Sequence, residues 1–404
     1  MDERDVVPDE AILAYIFGAS HEPTSTTLVL QTWEKCVFRA DFDNGEPSCF
    51  VRMEAKDSDP PPQLGAVSAL QAVAAHYLPG LVPKMLKTGV GADAAVNKQG
   101  RRFEFSVMAF AEGETLEAVW DDLSLENQQA IVAELSTAVQ TLHKVRLEDP
   151  VVQDLLAGPV PAASTARLGC LSTGFVADGE AFLIALGQKW ELKDRHLYDI
   201  DKIDASDGDD GFFVFSAFDG IPPVTVRTAH LEQWPHEAVF CHNDLSPRNI
   251  IVQTTTVGAG KPWYRVSGLI DWEMAGFYPP AYELALHDKY LGTANMQASF
   301  YGLLRRELLA TVFVERTLSQ TSLLGVLQVF NESRQRRLYD GLNIPAHIRR
   351  RFLDRLGLTQ DADLFVGWVA RDTETTKDGT YPSLSHAEVD ALIQDVIQEV
   401  QAKR

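Results

Sequence analysis

Apolar positions in the first part of the chain change period twice. Between 8 and 18, Ile12, Leu13 and Ile16 recur at helical spacing, which predicts a short helix. From 26 to 53 the pattern becomes strand-like, in Leu28-Val29-Leu30, Cys36-Val37-Phe38-Arg39 and Cys49-Phe50-Val51-Arg52-Met53. The Asp43-Asn44-Gly45 cluster between the last two supplies the positive φ angles a tight hairpin needs. Pro60-Pro61-Pro62 predicts the start of a helix running to about Tyr77, because proline fits only its first turn. Residues 103–110 read as another strand and Glu112-Gly113-Glu114 as a linker.

This succession predicts a five-stranded antiparallel lobe with one helix on it, over 1–110, and a mainly helical lobe over 111–404. The expected class is α+β. In the second lobe Ser124 is placed to cap a helix whose stripe is Ile131, Leu135, Ala138, Val139 and Leu142. His143 ends the stripe as a packed or helix-terminal histidine. Further helical patterns cover 179–194, 300–313, 323–331, 346–356 and 387–402, while 150–240 otherwise shows little periodicity. The acidic run Asp199, Asp201, Asp204, Asp207, Asp209 and Asp210 lacks calcium-loop spacing and the closing glutamate. It reads as a solvated loop, or as a rim that attracts cations.

Chemistry concentrates in Cys241-His242-Asn243-Asp244-Leu245-Ser246-Pro247-Arg248-Asn249 and the later Ile270-Asp271-Trp272-Glu273. Asp244 can accept or orient the proton of an attacking hydroxyl, and Asn249 and Asp271 offer hard oxygen ligands to Mg²⁺. Residues 249–253 read as a buried strand, 254–261 as a turn with Gly258 and Gly260, and 264–270 as the returning strand. Such a hairpin brings 249 and 271 to one end, where one ion meets both. The bland alternative is a capped turn with surface carboxylates.

At these residues the chain resembles the aminoglycoside phosphotransferase and choline kinase-like superfamily. The resemblance rests on 242–250 (HNDLSPRNI), 268–283 (GLIDWEMAGFYPPAYE) and 112–120 (EGETLEAVW), and spans roughly 25 to 290. It implies a two-lobed protein-kinase-like fold, with Asp244 as catalytic aspartate, Asn249 and Asp271 as metal ligands, and His242 packed beneath the loop. It also implies ATP or GTP with Mg²⁺ as cofactors, adenine near Met108, Ala109 and Phe110, and late helices on the acceptor side. Ser246 stands where protein kinases acting on Ser/Thr usually carry lysine, which favours a small-molecule acceptor. Trp272, Glu273, Phe277 and Tyr278 either line its pocket or belong to the core.

In the first lobe the chain departs from that pattern. Arg52 occupies the phosphate-binding lysine position and can grip the α- and β-phosphates, or pair with Glu54 on the same strand face. The helix near 62–77 has no orienting glutamate, for which Gln63 or Glu54 would have to substitute. The turn Gln31-Thr32-Trp33-Glu34-Lys35 has no glycine. Lys35 reads as an exposed turn residue or an inward-reaching substitute.

The 404 residues carry 36 Lys plus Arg against 57 Asp plus Glu, a net charge of −21 that disfavours nucleic acid as partner. That field would attract a cationic acceptor, with solubility the simpler explanation. Cys36, Cys49, Cys170 and Cys241 form no metal or disulfide pattern. Neither a secretory leader nor a membrane span is visible, so a cytoplasmic setting is expected, with the oligomeric state open. Three functions remain: a small-molecule kinase acting on a hydroxyl or amine, a kinase-fold binding protein, and nucleotidyl transfer or acyl-phosphate formation on the same fold.

Overall fold

The computed structural model describes residues 8–43, 45–56, 63–91, 102–193, 195–203, 210–255, 262–371 and 381–403. Strands β1 (Ser25–Gln31), β2 (Lys35–Asp41), β3 (Cys49–Ala55), β4 (Met85–Val90) and β5 (Phe103–Ala109) form one antiparallel sheet, ordered β1-β2-β3-β5-β4. On β3, Cys49, Val51, Met53 and Ala55 are buried with Phe38, Phe103, Phe105 and Val107. Helix α1 (Glu10–Phe17) adds Ile12 and Ile16 to this layer, and Asp9 caps it by accepting the Ile12 N–H at 2.9 Å. Side chains alternate along a strand, so Phe50, Arg52 and Glu54 share the opposite face of β3. Arg52 owes its position to that alternation.

The fifth strand, β4, left no alternation in the sequence because it is a largely exposed edge strand. Helix α2 (Leu64–Tyr77) packs Leu70, Val73 and Ala74 into the same apolar cluster as Leu269 and Trp272 of the second lobe. Its start is fixed by Glu104, whose carboxylate accepts the Leu64 N–H at 3.1 Å. The triproline segment, Asn44, most of the turn 254–261 and Asp204, Asp207 and Asp209 lie outside the described residues.

The second lobe follows the expected helical plan, giving the two-lobed α+β architecture. The helix Leu125–Leu142 starts on Ser124, which accepts the Asn127 N–H, and buries its whole expected stripe. Residues 150–240 are more ordered than their pattern suggests. They form the helix Pro150–Leu156, a sheet of Tyr198–Ile203, Gly211–Ser216 and Val224–Arg227, and the helix Thr228–Glu237. Asp199 and Asp201 therefore belong to a strand, where alternation with Tyr198 and Ile200 puts them on its more exposed face. The late helices are Ala298–Thr311, Leu318–Asp340, Ile344–Arg355 and His386–Lys403. Leu318–Asp340 is much longer than 323–331 because it continues through polar residues such as Glu332 and Gln335.

All four cysteines are free and buried, and burial pushes the Cys36 and Cys49 thiols up to about 11. Cys36 opposes Met53 and Cys49 opposes Ala40, so the two cysteines do not face each other. No helix among the described residues is long and apolar enough to cross a membrane.

The exposed linker is tied to the hairpin that follows Asn249. The short strand Glu114–Thr115 pairs with Ile251 and Val252, and Gly113 precedes it at φ +129°. A Cβ at Gly113 would lie 2.3 Å from the Val252 carbonyl oxygen. Gly113→Ala should therefore cost more than about 1 kcal/mol, through both the clash and the forbidden φ. Urea unfolding measures this, and an unchanged midpoint would contradict it.

Candidate active site

The loop 242–249 hangs between two antiparallel pairs. The strand Val239–Cys241 pairs with Gly276–Tyr278, and the strand Ile250–Thr255 pairs with Trp263–Leu269. The register Ile250 to Leu269 sets Asn249 beside Ile270, whose N–H donates to the Asn249 carbonyl at 3.0 Å. Asn249 and Asp271 thus leave the hairpin at one end. Asn243 and Asp271 both adopt left-handed backbone, φ 66° and 65°, which short polar side chains tolerate best after glycine. Asn243 Nδ2 donates to the Met274 carbonyl at 3.0 Å, tying the loop to the turn after Asp271.

Asp244 is 4% exposed, and both carboxylate oxygens are engaged. Ser246 Oγ donates to Oδ1 at 2.9 Å, and Arg248 Nη2 donates to Oδ2 at 2.8 Å. The Asp244 carbonyl accepts Asn249 Nδ2 at 2.9 Å. This use of the amide nitrogen leaves the Asn249 side-chain oxygen as the atom that could be offered to a cation. His242 Nδ1 accepts the Asp244 N–H at 3.2 Å, so Nε2 carries the proton and donates to the Ile270 carbonyl at 3.0 Å. With both nitrogens committed and its ring against Trp272, His242 is a strut between the two halves of the site.

Beneath the loop lies Glu283, 3% exposed. Its Oε1 accepts the N–H groups of His242 and Asn243 at 3.0 and 2.9 Å, while its Oε2 pairs with His143 Nε2 at 3.2 Å. Burial works against the charge, but the hydrogen bond and attraction from His143, then His287 and the Asn243 N–H, outweigh it and hold the carboxyl at about 2. His143, Cys241 and Glu283 have ligand atoms within 4.8 Å of one another. Both Glu283 oxygens are already hydrogen-bonded and burial drives the Cys241 thiol well up, so the group is a structural clasp.

With this geometry, the sequence matches the model of the phosphotransferase enzyme family over residues 33–316. The chain belongs to that family. No curated protein matches it. Among solved structures it is similar to a thermostable mutant of aminoglycoside phosphotransferase APH(4)-Ia in ternary complex with AMP-PNP and hygromycin B. Identity there is 14%, coverage 85% of this chain and 97% of that one, and the TM-score 0.46. It is also similar to a Plasmodium vivax ethanolamine kinase, at 13% identity, coverage of 93% and 82%, and a TM-score of 0.37.

In this phosphotransferase the first lobe meets the loop through Arg52. Its Nε donates to Glu54 Oε1 at 2.7 Å, its Nη2 donates to Glu273 Oε2 at 2.7 Å, and its Nη1 lies 3.9 Å from Asp271. Burial disfavours the guanidinium charge, but Glu54 and Glu273 more than offset this and raise its pKa. The Glu54 pairing is therefore present, joined by a cross-lobe partner that the sequence did not reveal. Burial and then Glu273 push the Asp271 carboxyl up, with Arg52 opposing. A crowded carboxylate beside a free amide oxygen is a donor set that suits a small hard cation.

Lys35 is not a free turn residue: its Nζ lies 3.8 Å from Glu54. The amides of Glu34 and Lys35 donate to Thr32 Oγ1, so this turn spends its N–H groups internally. Of Gln63 and Glu54, the two substitutes for the missing helix glutamate, Glu54 is the one that hydrogen-bonds Arg52. Phe110 stacks on Phe50 at 5.8 Å with Arg39 over its ring, and Met108 Sδ accepts from Gln71 Nε2 at 3.8 Å. Trp272, Phe277 and Tyr278 are fully buried core residues, and Glu273 pairs with Arg52. Arg248 and Glu283 lay inside stretches already singled out, but their roles arise only from contacts across the fold.

Glu283→Gln should destabilise the protein by roughly 2 kcal/mol, the scale for weakening buried hydrogen bonds to a charged acceptor. Because Glu283 ionises at about 2 in the fold, its contribution is complete above the ordinary value near 4.3 and fades as pH falls toward 2. The gap between wild type and variant should therefore narrow in acid. A gap constant from pH 7 to pH 3 in denaturant melts would contradict the assignment.

Proposed function

We propose that the protein is a Mg²⁺-dependent small-molecule kinase that transfers the γ-phosphoryl group of ATP, or GTP, to a hydroxyl or amine. The observation that carries this reading is the convergence of a buried, doubly anchored Asp244 with Asn249 and Asp271 at one hairpin end. Residues 1–110 would form the nucleotide-phosphate side, and 111–404 would carry the loop, the hairpin and the acceptor side. Met108, Ala109 and Phe110 would border the base.

Asn249 and Asp271 would hold Mg²⁺, which when bound offsets the charge of the nucleotide phosphates. Asp244 orients the acceptor and takes its proton as the new bond to phosphorus forms and ADP departs. Ser246 and Arg248 fix its carboxylate, so little rearrangement precedes transfer. Arg248 adds positive charge beside the transferring group. Arg52, held by Glu54 and Glu273, presents a guanidinium to the α- and β-phosphates.

Asp244→Asn should cut kcat by a factor on the order of 10² or more while leaving nucleotide affinity nearly unchanged. Loss of nucleotide binding by calorimetry would make Asp244 structural and remove the assignment. Phosphorus NMR should find ADP and a phosphate ester or phosphoramidate, whereas a phosphodiester-linked AMP on the acceptor with pyrophosphate would establish nucleotidyl transfer.

Arg52→Ala should raise nucleotide KM and lower kcat, whereas Glu54→Ala should act chiefly on stability. Equal, small kinetic effects with an intact nucleotide-induced melting shift in both variants would exclude Arg52 as a phosphate ligand.

A further inference from the structure

The helix Ala281–Tyr290 ends beside the catalytic loop. Tyr290 lines a small cavity with Leu245 and Ser246, next to Asp244, and the Lys289 ammonium lies 5.6 Å from the Tyr290 ring. The preceding residue, Lys289, holds its Nζ 4.4 Å over the Trp190 ring. Arg334 donates to the carbonyls of Trp190 and Glu191 at 2.9 and 3.2 Å. Lys189 donates to Tyr282 Oη at 3.2 Å and also stands by the Cys170 thiol. Three half-buried cations from three helices cluster about the end of the helix Gly179–Trp190: Lys289 on the Trp190 ring, Arg334 on the Trp190 and Glu191 carbonyls, and Lys189 one residue before Trp190.

No carboxylate forms an ion pair with Lys189, Lys289 or Arg334 among the described residues. In a chain of net charge −21 this corner reverses the sign of its surroundings. Burial, then Lys189 and Arg334, hold the Lys289 ammonium down to about 8, and Asp244 is the carboxylate acting against them. Burial likewise depresses Lys189 and Arg334. An oxyanion placed between Lys289 and Arg334 would relieve that crowding and gain charge-assisted hydrogen bonds.

We propose that this corner binds an anionic group of the acceptor, a carboxylate or a phosphate. The substrate is then an acidic hydroxylated metabolite, not the cation that the whole-chain charge would attract. The inference rests on the kinase reading of Asp244. The acceptor oxygen bonds to the γ-phosphorus as the bond from that phosphorus to the β–γ bridging oxygen breaks, releasing ADP. The hydroxyl proton passes to Asp244 and then to solvent.

The test uses the full chain carrying ¹³Cε-lysine, with Mg²⁺ and AMP-PNP, titrated with glycerate, glycerol 3-phosphate, glycerol or choline. Lys289→Arg identifies the Lys289 resonance by removing it. Glycerate or glycerol 3-phosphate should raise the Lys289 titration midpoint by about one unit, as a nearby opposite charge does, while glycerol and choline leave it in place. The acid acting at lower concentration shows whether the site is for carboxylate or phosphate. A midpoint unmoved by either acid, or moved equally by choline, overturns the proposal. Melting with and without AMP-PNP in the same samples separates the two readings. An intact nucleotide shift with a silent Lys289 overturns the acidic acceptor alone, and a lost shift overturns the kinase reading as well.

Discussion

The site depends on one buried carboxylate. Glu283 accepts two consecutive backbone N–H groups of the catalytic loop and pairs with His143 at the end of the helix Leu125–Leu142. A carboxylate in apolar surroundings is tolerable only with such partners, so its charge and the loop conformation require each other. Once residues 242 and 243 are pinned, Asn243 can hold its left-handed backbone and His242 can bridge to Ile270. Asp244, Asn249 and Asp271 inherit their relative positions from that clasp.

A second set of charges joins the lobes. Arg52 reaches from the sheet to Glu273, just past Asp271, while Glu54 steadies it from its own strand. The strand arginine thus finds an acidic partner without a helix glutamate, and α2 is left free to pack apolar residues into the second-lobe core. Positive charge from Arg52 and Lys35 on one side and Arg248 on the other flanks the space above Asp271. That arrangement suits a polyanion such as a nucleotide triphosphate.

Much of this was legible in the sequence. The period-2 pattern of β3 announces that Arg52 and Glu54 share a face, and the hairpin after Asn249 announces that Asp271 returns to it. Burial of Trp272, Phe277 and Tyr278 was visible only as one of two readings, since an aromatic stripe has the same pattern in a pocket and in a core. Glu283, Glu273 and the corner around Trp190 were not legible. Each acts through partners far apart in sequence, and no local periodicity encodes a contact of that kind. The sheet within 198–227 went unseen because Tyr198–Ile203 carries three charged residues and Val224–Arg227 has only four residues, which leaves Gly211–Ser216 without a recognisable partner.

Metal binding at the hairpin end is the claim on which the catalytic reading stands. Electron paramagnetic resonance of Mn²⁺ added with AMP-PNP to the full chain tests it directly. The wild type should bind Mn²⁺ tightly only with nucleotide present, and Asp271→Asn should lose that binding while keeping its fold by circular dichroism. Nucleotide-dependent Mn²⁺ binding that survives unchanged in folded Asp271→Asn would contradict the site.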